Sequence, residues 1–132
     1  MNTQDDSLIP EWFRIAEEDE LTLRSILKHR DAPPSMACFH AQQMAEKLLK
    51  VLLVAYKKEN PKIHDLKRLA TILESSVSNI FDLDESLTFL NKFYITTRYP
   101  GDFPEGFSWK DAEQALNASV QIKEFVIKQL EK

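Results

Sequence analysis

Arg98 is followed by Tyr99 and Pro100, within "FYITTRYPGDFPEG" (residues 93–106), which holds both glycines of the chain. A guanidinium held beside an aromatic ring is a good contact for a phosphate or a nucleobase. Proline disfavours helical geometry at the residue before it, so Tyr99–Pro100 fixes the direction in which the chain leaves Arg98. The plainer reading is a cation complementing the macrodipole at a helix C-terminus. A second polar group lies in "CFHAQQMAEKLLKVLLVAY", where His40, Gln43, Glu46, Lys47 and Lys50 fall within roughly 120° on a helical wheel. As a solvated face, this strip gains only ~0.2–0.5 kcal/mol from a Glu46–Lys50 pair four residues apart. Asp19 is the odd residue. It lies among Trp12, Ile15, Ala16, Leu23 and Ile26, in the middle of an apolar stripe. A buried carboxylate there needs a cationic or hydrogen-bonding partner, and Lys47 and Arg98 are the candidates. Such an ion pair would orient helices at least as readily as it would catalyse. Otherwise the stripe is shifted and Asp19 reaches water.

Several chemistries find no pattern. His29, His40, His64 and Cys38 lack zinc-ligand spacing, and "CFH" is an isolated C-x-H, so no metal is expected. Neither common glycine-rich phosphate loop is present, and no serine sits in a nucleophile elbow. No cofactor is expected. The net charge of −4 does not favour non-specific adhesion to polyanions, so a nucleic-acid ligand must find a local basic cleft. A single cysteine excludes an internal disulfide and suits a reducing compartment. The opening "MNTQDDSLIP" lacks the basic and apolar regions of a signal peptide, and "VLLVAY" is far too short to span a bilayer. The expectation is a cytoplasmic protein without a membrane segment.

The elements that must position these residues are helices. The 132 residues are 43% hydrophobic and 29% charged, enough for one globular domain with its own core, and two glycines are too few for a turn-rich β fold. Pro10 suits a first helical turn, and the stripe through Leu27 predicts a helix over residues 10–30, stopped by "DAPPS". Ser35 is a plausible N-cap for a helix over 35–58, ended by "KENPK". A shorter helix follows at 64–76. The segment 84–98 places Leu87, Leu90 and Tyr94 on one face and Phe89 and Phe93 on the other, which predicts a central or interface helix. Ser108 with Asp111 three residues later resembles a capping box and opens a helix over 108–131, with Ala112, Ala115, Leu116, Ser119, Val126, Ile127 and Leu130 inward. The fold expected is all-α, an antiparallel four-helix up-and-down bundle with one additional short helix.

Together "WFRIAEEDELTLRSIL", "CFHAQQMAEKLLKVLLV", "HDLKRL", "RYPGD" and "DAEQALNASVQIKEFV" resemble the HEPN family, in that family's order and over nearly the whole of residues 1–132. The resemblance implies a compact bundle of the nucleotidyltransferase-substrate-binding type. It also implies a homodimer whose partner helices form a cleft for nucleotides or RNA. Many family members are metal-independent ribonucleases with an R-x4–6-H motif. Arg98 matches the arginine, but Phe103, Pro104 and Glu105 stand where the histidine belongs, and no histidine follows His64. This departure speaks against ribonuclease activity. The first expectation is therefore a non-catalytic nucleotide- or RNA-binding module. Arg98, Lys47 and Lys50 would contact phosphates and Tyr99 would stack on a base, with Asp19, Gln43, Glu46, His64 and Asp65 as structural or cleft polar groups. A minimal nucleotidyltransferase is the protein partner that the resemblance suggests, in a two-component, toxin–antitoxin-like system. Two other classes stand beside it: a ribonuclease toxin with altered residues that uses His64, and a dimeric interaction module without a small ligand.

Overall fold

In a computed structural model, the protein is described over residues 8–96 and 107–132. These form five α-helices and no strand: α1 (Leu8–His29), α2 (Pro34–Lys57), α3 (Leu66–Leu73), α4 (Asp84–Thr96) and α5 (Trp109–Leu130). A single 3-10 turn, Ile80–Leu83, occupies the link before α4. Its Ile80 and Leu83 are buried, so this link helps to close the core. Among the described residues, no helix is long and apolar enough to cross a membrane.

α2 is the axis of the bundle. Fourteen of its 24 residues are buried, against four of 22 in α1, because α1, α3, α4 and α5 all pack on it. Leu48, Leu49, Leu52 and Leu53 are wholly excluded from solvent, each contributing about 1.5–3 kcal/mol. That position overturns the reading of its polar strip as a solvated face. Glu46 and Lys50 are buried and His40, Gln43 and Lys47 half-buried, since α1 and the segment before α3 cover the strip. Cys38 also lies inside, and burial pushes its thiol up to about 12, which leaves it unreactive.

With the glycines elsewhere, α1 and α2 end on non-glycine residues in the left-handed region. Arg30 has φ 51° and Lys58 has φ 55°. Their N–H groups donate to the carbonyls of Ile26 (2.8 Å) and Val54 (3.2 Å), which recovers part of the ~1–2 kcal/mol such a conformation costs. The Arg30 guanidinium also sits 4.7 Å above the ring of Trp109, tying the end of α1 to the start of α5. Ser108 caps α5 with a complete capping box, adding ~1 kcal/mol. The N-cap of α2 is Pro33 rather than Ser35: Pro34 starts the helix two residues earlier than a Ser35 cap would, at the position where a missing N–H costs nothing.

Between α1 and α5, Glu20 accepts hydrogen bonds from Lys123 (2.8 Å) and Arg24 (2.9 Å). Burial alone would raise its carboxyl, but these two cations outweigh burial and hold it below its ordinary value. On α4 the buried stripe is Leu87, Leu90 and Phe93 at three-residue steps, with Phe89 and Tyr94 half-buried on either side. Phe93 thus joins the core face and not the opposite one, because Leu90 is the stripe's centre. At the end of α5, Ile127 and Leu130 are exposed and Gln129 is buried, its carbonyl accepting from the Tyr56 hydroxyl at 3.1 Å.

Candidate functional site

Two polar clusters branch from the buried strip of α2. At the α1–α2 contact, the carboxylate of Asp19, only 7% exposed, meets the ammonium of Lys47 at 2.5 Å and Nδ1 of His40 at 2.9 Å. Lys47, from α2, therefore supplies the counter-charge that the apolar stripe demanded, and His40 takes the second oxygen.

The second cluster is built on Glu46. Oε2 of Glu46 accepts from Lys50 at 3.0 Å and meets Nδ1 of His64 at 3.0 Å. Lys50 in turn lies 5.4 Å from the ring of Trp12. Gln42 donates from Nε2 to the His64 carbonyl (3.4 Å) and accepts from Gln43 (2.8 Å). His64 is thus pinned by its backbone and its ring, and the ring stacks on Tyr94 at 4.9 Å with 14° between planes. A carboxylate can only accept, so Nδ1 of His64 carries the proton facing Glu46. In the neutral ring, Nε2 is then an acceptor. Oε1 of Glu46 is buried without a hydrogen-bond partner among the described residues.

His64 and Tyr94 line a recess of about 310 Å³ together with Lys62, Asp65, Arg68 and Asn91. Its floor is rigid. Asp65 caps α3 by accepting from the N–H groups of Lys67 (3.0 Å) and Arg68 (3.2 Å). Asn91 donates to the same Asp65 oxygen (3.0 Å) and accepts from Leu66 N–H (2.8 Å), locking the start of α3 to α4. Lys62 and Arg68 are exposed and form no ion pair among the described residues. The recess therefore presents two uncommitted cations beside a pair of stacked rings. A hollow of about 330 Å³ between α4 and α5 is lined by Glu85, Ser86, Phe89, Gln114, Asn117 and Gln121, with no cation to hold a phosphate.

The residues singled out by sequence thus divide. Glu46 and Gln43 lie behind the recess, His64 and Asp65 line it, and Asp19 sits in the separate α1–α2 cluster. Lys47 and Lys50, expected at phosphates, are already committed to Asp19 and Glu46. Arg98 and Tyr99 lie outside the described residues. Lys62, Arg68, Asn91 and Tyr94 were not singled out. The signal was present in "KIHDLKR", where three basic residues bracket the aspartate that caps a helix. Among the described residues, no group of three or more His, Cys, Asp or Glu side chains could hold a metal ion.

The family model of the HEPN domain matches residues 9–130. The chain is similar to TT1696 from Thermus thermophilus, at 32% identity over 92% of this chain and 97% of that one, with a TM-score of 0.81. It is also similar to ST0689, an archaeal HEPN homologue, at 29% identity over 92% of this chain and 96% of that one, with a TM-score of 0.73. A comparison with curated proteins found no match.

Proposed function

The chain belongs to the HEPN domain family, and on that premise we propose that it is a nucleotide- or RNA-binding module that does not cleave RNA efficiently. The observation that carries this reading is the recess, where Lys62 and Arg68 have no ion pair among the described residues beside the stacked rings of His64 and Tyr94. Cations hold phosphates and ring faces accept bases, and neither contact requires proton transfer. Arg98, the arginine that matches the family motif, is proposed as a further phosphate contact.

Fluorescence anisotropy with a labelled short RNA tests the reading. Binding should be weak and should fall with salt by about 0.7 log units per log unit of salt for each phosphate contact. Arg98→Ala should weaken it roughly tenfold, the scale of one charge-assisted contact. No binding by the wild-type protein would leave only an interaction module.

The active assembly in this proposal is a homodimer that works beside a minimal nucleotidyltransferase. The half-buried Phe89 on α4, next to the α4–α5 hollow, supports the dimer as an apolar group with more surface to bury. Light scattering should give about twice the chain mass of 15.3 kDa. A particle of one chain mass at high micromolar concentration would remove the dimer from the proposal.

One contact favours a second reading, a ribonuclease with altered residues. The Glu46–His64 contact at 3.0 Å resembles a carboxylate orienting an imidazole base. Its mark would be cleavage that His64→Ala abolishes.

A further inference from the structure

We infer that the recess between α3 and α4 is a site for one nucleotide unit bearing a terminal phosphate, held by Lys62 and Arg68 with its base against His64. This deepens the proposed binding function and rests on it.

Size is the first argument. About 310 Å³ lies at the lower end of small-ligand pockets and suits one nucleotide rather than a run of them. Charge is the second. A phosphomonoester carries about −1.5 to −2 at neutral pH, which matches two cations better than the single charge of an internal diester does. Ring geometry is the third. His64 and Tyr94 already stack at 4.9 Å, so a base cannot enter between them. It adds to the outer face of His64, whose side chain is 47% exposed while Glu46 fixes the ring plane from behind. Asp65 supplies the fourth contact. One of its oxygens is taken by the α3 amides and Asn91, and the other has no partner among the described residues. In a site that otherwise attracts anions, that oxygen is suited to accept from the ribose hydroxyls. The second oxygen of Asp65 thus selects a sugar over inorganic phosphate.

Calorimetric titration with adenosine monophosphate, adenosine and inorganic phosphate tests the site. The monophosphate should bind at least about tenfold more tightly than either fragment, the worth of one charge-assisted or stacking contact. Arg68→Ala should remove that advantage while leaving adenosine binding unchanged, and His64→Ala, which takes away the ring face that the base covers, should weaken both by about tenfold. Arg68 is exposed, so its variant should keep the wild-type circular dichroism spectrum. Oligonucleotides with and without a 5′-phosphate separate a free nucleotide from an RNA end as the source. A 5′-phosphate preference assigns the site to RNA ends, and its absence, with monophosphate binding retained, assigns it to free nucleotides. Monophosphate binding that survives Arg68→Ala but is lost in Arg98→Ala would overturn the recess while leaving RNA binding intact. Failure of all ligands, RNA included, would overturn both.

Discussion

Glu46→Ala is expected to lower the unfolding free energy by about 3–5 kcal/mol, a large part of the ~5–15 kcal/mol available to a domain of this size. The variant removes the carboxylate that neutralises Lys50, whose side chain is only 8% exposed. An uncompensated ammonium then remains inside the most buried helix of the bundle, and Nδ1 of His64 loses its acceptor. Asp19→Ala should cost less, about 1–3 kcal/mol, although Asp19 also carries two polar contacts. The difference lies in the stranded partner. Lys47 is 21% exposed and can extend its ammonium to water along its apolar stem, whereas Lys50 is enclosed. Replacing both members of the inner pair, as Glu46→Leu with Lys50→Met, should recover most of the loss, because no buried charge is then left unpaired. Urea unfolding of the three variants measures the order. A Glu46→Ala protein within ~0.5 kcal/mol of wild type, or one less affected than Asp19→Ala, would show that this pair is not enclosed in solution.

The helices were legible because local signals agreed. Scarce glycine, prolines at 33 and 34, the capping pair Ser108 and Asp111, and apolar stripes at helical spacing all pointed the same way. Boundaries of α1, α2 and α5 fall within two residues of those expected from periodicity. α3 is shorter because Asp65, not the residue before it, takes the cap position, and because Glu74 ends the helix as its C-cap. Asp19 announced itself by standing in an apolar stripe. Glu46 and Lys50 did not, because a helical wheel shows which residues share a face but not what covers that face. Only the placement of α1 and His64 against α2 reveals that the strip is enclosed. Lys62 and Arg68 escaped for the opposite reason. Each is an ordinary exposed cation until the Asp65–Asn91 contact sets α3 beside Tyr94.

The largest functional effect expected is the missing one. The R-x4–6-H motif of the family's ribonucleases places a histidine five to seven residues after the arginine, and this chain has Phe103, Pro104 and Glu105 at those positions after Arg98. General acid–base catalysis supplies ~10²–10⁴-fold, so loss of one participant brings turnover close to background. In the reading proposed here His64 forms the wall of the recess and does not take that part. Its Nδ1 faces Glu46 and its ring is stacked on Tyr94, which makes the ring a fixed wall of the recess. A phosphate can still be held there, since holding requires only charge and hydrogen-bond donors. The most direct measurement is a single-turnover assay with excess protein and a labelled RNA that is shown to be bound, without added metal. Bound RNA should stay intact over hours, with the same trace for wild type and His64→Ala. Rapid cleavage by the wild-type protein that disappears in His64→Ala would contradict it and establish the altered ribonuclease instead.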